Sequence, residues 1–199
     1  MIIRDIQSLS NSGLAFLAYF YFDFKDTRKQ DSRALLSSLL DQFSNQSDQC
    51  RDALRGLYIE HDDGGKKPHE DALLQCLKGM LTITVSAPVY LVLDTLDECP
   101  NDSGFPTPRE KVLELVNKLV ELSHSNLHLC ITSHPEFDIR TTLEPLATQQ
   151  LSLHDESGQR QDITYYAISV VRSDKKMKRW RDDEKDMVIE KLTAKADGM

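Results

Sequence analysis

The segment Val89-Tyr-Leu-Val-Leu93 is apolar at five consecutive positions and stops at Asp94. A strand with one solvated face alternates apolar and polar residues, so a strand apolar on both sides belongs to a parallel sheet covered by helices. Ala18-Tyr-Phe-Tyr-Phe22, Leu127-His-Leu-Cys-Ile131 and Gln150-Leu-Ser-Leu153 have similar character, and the pattern predicts strands near 18–24, 89–93, 127–132 and 149–153. Helical spacing fills the gaps. Over 32–43, Leu35, Leu36, Leu39, Leu40 and Phe43 form one stripe. Thr107-Pro-Arg-Glu110 is a capping box with Pro at the first helical position, opening a helix whose Val112, Leu113, Val116, Leu119 and Val120 turn inward. Further helices are expected over 49–59, 70–80, 162–171 and 183–196, with a polar, turn-rich loop at 62–68. Strands alternating with helices imply an α/β fold, three layers around a mostly parallel sheet. Ligands of such sheets bind beyond the carboxyl ends of the strands, so chemistry is sought there.

Composition narrows the classes. With 24 Lys+Arg against 32 Asp+Glu, the 199-residue chain carries a formal charge of −8, the wrong sign for a surface that coats nucleic acid. The apolar run at 13–22 ends at Asp23, half of the roughly twenty residues that a membrane span needs. No small-residue cleavage site follows it, so it reads as a buried strand, not as a secretion signal. Cys50, Cys76, Cys99 and Cys130 form no CxxC pair, and a chain of this size needs no disulfide staples. Reduced, mostly buried thiols and a cytoplasmic location are the expectation.

Asp94-Thr-Leu-Asp97-Glu98 follows directly on the most apolar strand. A carboxylate held rigidly at a sheet edge is what a Walker B element requires: it positions Mg²⁺ beside a triphosphate, and an acid three or four residues on can act as general base. The same acids also suit a merely solvated loop. Thr132-Ser133-His134-Pro135-Glu136 follows the next strand, where Ser133 and His134 could sense a γ-phosphate or could simply cap a short helix at 135–142. His124, His128, Cys130 and His134 cluster in sequence, but tetrahedral zinc demands closer placement than a helix end, a strand and a loop provide. The run Lys175-Lys-Met-Lys-Arg-Trp-Arg181 reads as a solvated linker, since Asp182, Asp183 and Glu184 follow at once. Asp23 at a strand end could join Asp94 at a two-carboxylate metal site, or stand exposed alone.

Taken in order, Phe20-Tyr-Phe-Asp-Phe24, Tyr90-Leu-Val-Leu-Asp-Thr-Leu-Asp-Glu-Cys99 and Leu129-Cys-Ile-Thr-Ser-His-Pro-Glu136 resemble the core of a NACHT domain. The likeness is to the fungal, nephrocystin-type branch of the STAND class of P-loop NTPases. It implies an NTPase core over 1–158 and the start of a following helical region over 159–199. It also implies a nucleotide-driven oligomerisation switch, closed with ADP and open with ATP and Mg²⁺. In that scheme Asp94 positions Mg²⁺, Asp97 or Glu98 orients the attacking water, and Ser133 and His134 read the γ-phosphate. Protein partners or self-association through the module are implied, with no nucleic acid and no membrane.

Two departures bear on this reading. None of the eight glycines opens a GxxxxGK[ST] loop, the element that would cradle the phosphates and place a lysine on them. On the resemblance, that loop and its strand lie just upstream of a helix like 2–9. The chain alone is therefore expected neither to bind nor to hydrolyse ATP, and to leave unpaired sheet edges at 127–131 and 150–153 that make it marginally stable. The second departure is His134, where the family carries Arg, a residue that is always charged and forks onto phosphate. Two rival functions fit the same residues: a non-catalytic scaffold that keeps the fold to bind proteins, and a Mg²⁺-dependent nuclease or phosphatase built on Asp23, Asp94 and Asp97.

Overall fold

A computed structural model describes all residues except 1, 85, 103, 153–156 and 196–199. Its element order is α1 (Ile2–Asn11), β1 (Phe16–Tyr21), α2 (Ser32–Ser44), α3 (Asp48–Glu60), α4 (Glu70–Ile83), β2 (Val89–Asp94), α5 (Pro108–Glu121), β3 (Leu127–Ile131), α6 (Phe137–Leu143), α7 (Ser157–Ser173) and α8 (Asp182–Lys195). Two compact units divide the chain, Met1–Ala147 and Thr148–Met199.

The first unit is α/β, a three-stranded parallel sheet flanked by helices in the order β1-β2-β3. The apolar strand is central, as its two apolar faces require. Phe16 pairs with Val89 and Val89 with Leu127, and both registers run on in step to the strand ends. Alternate residues of the strands (Ala18, Phe20, Leu91, Leu93) enter a core with the apolar stripes of α2, α4 and α5. Leu35, Leu39, Phe43, Leu77 and Met80 are fully buried there, each worth about 2 kcal/mol of transfer free energy. The other face carries the buried Leu17 and Val92 together with Tyr19, Tyr21, Tyr90, Asp94, His128 and Cys130, which are half-buried or exposed. On it Tyr90 stacks on His128 with ring centres 4.9 Å apart.

Helix ends form where the sequence signals them. Asp31 and Ser47 accept backbone N–H bonds at the starts of α2 and α3, and the capping box of Thr107 and Glu110 closes at the start of α5.

The strand expected at 149–153 is a correction. Residues 149–152 form no strand, Leu151 is 78% exposed, and Leu153 lies outside the described residues. Four residues with two leucines bury too little apolar surface to fix themselves without an adjacent partner strand. The first strand is also shifted: it begins at Phe16 and ends at Tyr21, because Phe22 through Phe24 turn away into the loop before α2.

The two outer edges of the sheet differ. Phe16 and Phe22 N–H bond toward β2, so Leu17 and Tyr19 present their backbone groups outward. Two side-chain amides of α2 meet them. Gln46 accepts from Leu17 N–H at 2.9 Å and donates to Leu17 C=O at 2.6 Å. One turn away, Gln42 accepts from Tyr19 N–H at 3.0 Å and donates to Tyr19 C=O at 2.7 Å. The helix thus satisfies the outward backbone groups of Leu17 and Tyr19 as a strand would. On β3, Asn126 C=O and Thr132 N–H bond to β2, so Leu127, Leu129 and Ile131 face outward. Leu127 N–H is taken by His124 C=O at 3.0 Å, and among the described residues nothing else pairs this edge.

In the second unit, Ala167 and Val171 of α7 pack against Ile189 of α8, and Arg172 pairs with Asp186 at 3.4 Å. Among the described residues no helix is long and apolar enough to cross a membrane.

Candidate functional site

The carboxyl ends of β2 and β3 lie side by side, and the loops that leave them are laced together. The Thr132 hydroxyl donates to Asp94 Oδ1 and accepts from Thr95 N–H at 3.0 Å. Leu96 N–H reaches Thr132 C=O at 2.9 Å, and His134 N–H reaches Asp97 Oδ1 at 2.9 Å. Thr95 sits in the left-handed region at φ 56°, ψ 48°, uncommon for a β-branched residue. It is held by its hydroxyl, which donates to Phe22 C=O at 3.0 Å beyond the end of β1. A short 3₁₀ turn, Leu96–Glu98, follows, with Leu96 buried and its two acids directed to backbone donors. Glu98 Oε2 accepts from Phe24 N–H at 3.2 Å.

Asp94, Asp97, Ser133 and His134 are therefore gathered at one end of the sheet, from adjacent strands. Asp94 is half-buried, and among the described residues its Oδ2 has no hydrogen-bond partner. Ser133 and His134 are exposed, and their side chains bond to no described residue. Asp23 accepts from Lys25 N–H at 2.9 Å within its own loop. Among the described residues no three His, Cys, Asp or Glu side chains gather as metal ligands, so neither Asp23, Asp94 and Asp97 nor the histidine–cysteine cluster forms such a group.

Neighbouring titratable groups feel the acid. Burial first, then the Asp94 charge and Tyr19, hold the Tyr21 phenol above its ordinary value. Burial and then Asp94 push the Cys130 thiol up. All four thiols are free. Burial raises Cys76 to about 11 and Cys99 to about 12, which leaves both protonated and inert near neutrality.

The residue beneath this arrangement is Arg109, in the first turn of α5 and 5% exposed. Its Nε donates to Cys99 C=O at 2.9 Å and Nη2 to Asp97 C=O at 2.5 Å. Nη1 pairs with Glu136 and lies 3.5 Å from Asp138 Oδ2. One guanidinium thereby joins the loop after β2 to the loop after β3. The sequence reading missed Arg109, Thr132 and Thr95; an Arg two residues after a helix cap reads as an exposed first-turn residue. The only available signal was its position beside the acidic loop.

Residues 1–134 match a family model described as Nephrocystin 3, N-terminal. No curated protein and no solved structure matches the chain.

Proposed function

The chain belongs to the Nephrocystin 3, N-terminal family, and we propose that it is the acid-bearing part of a NACHT-type nucleotide switch, unable to hold a nucleotide by itself. The observation that carries this reading is the laced pair of loops at the ends of β2 and β3. In it Asp94 keeps one carboxylate oxygen for Mg²⁺-bound water, and the loop carrying Ser133 and His134 is fastened beside it. A phosphate placed against these loops would move both together, which is how a γ-phosphate reports its presence in a switch.

The residues present do not fit a magnesium nucleotide unaided. A phosphate cradle needs several converging backbone N–H groups on a glycine-rich turn. The connections at 22–31, 95–107 and 132–136 hold one glycine, Gly104, between them. Acids at 94, 97 and 98 repel a polyphosphate unless cations compensate. No catalytic step is assigned to this chain.

Isothermal titration with ATP or ADP and Mg²⁺ should give no binding heat, and a micromolar dissociation constant would overturn the reading. If the genomic sequence upstream of Met1 encodes a GxxxxGK[ST] loop, the extended product should bind ADP. It should also lose Mg²⁺-dependent ATP affinity on Asp94→Asn. An extended product that binds no nucleotide sinks the switch. It would favour a protein-binding scaffold, for which the backbone bonds already made by Asp97 and Glu98 are the supporting observation.

A further inference from the structure

We propose that Gln42 and Gln46 are a built-in guard that keeps β1 from assembling with copies of itself into cross-β fibres. Residues 14–22 read Leu-Ala-Phe-Leu-Ala-Tyr-Phe-Tyr-Phe, nine in a row without a charge, a proline or a glycine. Short segments of high β-propensity and low charge are the ones that stack into dry, self-paired sheets. Here such a segment supplies an outer strand of the sheet formed by the described residues. Outer strands are ordinarily defended by a charge, a proline or a bulge. β1, in unbroken register with β2, has none of these.

The pair of amides stands in for those defences. Gln46 and Gln42 take both the N–H and the C=O of Leu17 and of Tyr19, four bonds in all. They cover the middle of the strand; Tyr21, at its end, has no such cover among the described residues. Each amide is also braced from behind. Gln42 Nε2 donates to Ser38 C=O at 3.2 Å and to the Ser38 hydroxyl at 3.0 Å. Gln46 Nε2 donates to Gln42 C=O at 2.9 Å, and its Oε1 accepts from the Ser10 hydroxyl at 2.9 Å.

A carboxamide ends the ladder where a strand would pass it on. Pairing with another strand uses successive outward residues, and with 17 and 19 taken, Tyr21 alone cannot seed it. Freeing the edge means breaking four ordinary hydrogen bonds at once, which leaves it open in about one molecule in 1,000. Every contact of the guard is made within residues 10–46, so it is independent of the nucleotide reading and of the β3 edge.

The test compares the full chain carrying both Gln42→Ala and Gln46→Ala with Leu119→Ala. The latter removes a core side chain of α5 and loses stability while keeping both glutamines. In urea chosen to leave the same fraction of each folded, the double variant should form thioflavin-positive fibres at least about tenfold sooner. Amide exchange of those fibres should find residues 16–22 in the protected core. Equal lag times would mean that lost stability alone drives assembly, and they overturn the proposal, as does a fibre core lying elsewhere. If the double variant fails to fold, Gln46→Ala alone is put to the same comparison. It uncovers Leu17 and should still outpace Leu119→Ala, and a lag no shorter than that of the core variant refutes the guard.

Discussion

Replacing Arg109 by Met keeps the length of the side chain and removes its charge and donors. Two carbonyls, Cys99 and Asp97, then lose donors inside the protein, each hydrogen bond to a charged group being worth about 1.5 kcal/mol. The Glu136 pair contributes less, because that carboxylate side chain is 46% exposed and regains water when released. Methionine recovers some packing, and the net loss should be about 3 kcal/mol, the low end for removing one member of a buried pair. Arg109→Lys keeps charge without the fork and should lose about half as much. Urea unfolding followed by circular dichroism measures the total, and amide exchange at His134, whose N–H bonds Asp97, reads the loops directly. Exchange there should accelerate by more than about tenfold in the Met variant. A loss below about 1 kcal/mol, or a His134 amide as slow as in the parent, would mean that Arg109 does not join the two loops.

Gln42→Leu and Gln46→Leu should each cost about 1–2 kcal/mol by leaving one N–H and one C=O of β1 without their partner. The matching amide, Tyr19 or Leu17, should exchange faster, whereas unchanged exchange would show that the edge is closed by something else. Cys99 gives a pH prediction with a definite sign. Its folded value near 12 lies above the unfolded value near 8.5, so the stabilisation is complete below pH 8. It falls progressively as pH rises from about 8.5 toward 12, and Cys99→Ala should flatten that decline in urea titrations. An equally steep decline in the variant would refute burial of the thiol as the cause.

What could be read from the residues is what repeats or stands alone. The stripe of Leu35, Leu36, Leu39, Leu40 and Phe43, the capping box at Thr107, and the apolar β2 each carry enough local pattern to name their element. Asp94 was legible as a strand-end acid for the same reason. Arg109 was not, because first-turn arginines are ordinarily solvated and only the folded position of the 133–138 loop buries this one. Gln42 and Gln46 looked like the polar side of α2; their pairing with β1 depends on helix rotation relative to the strand, which no local pattern encodes. The strand at 149–153 was read from a short leucine alternation whose fate depends on a neighbour, the weakest kind of strand signal.

Thr95 shows where the shape of the acidic loop comes from. Left-handed backbone costs a β-branched residue on the order of 1 kcal/mol, so the turn between Asp94 and Asp97 would relax if left alone. It stays because Phe22 on one side and Thr132 on the other each hold it by a hydrogen bond. The curvature of this turn is thus borrowed from its neighbours, like an arch standing only while both abutments stand. Glycine at position 95 would let it stand freely.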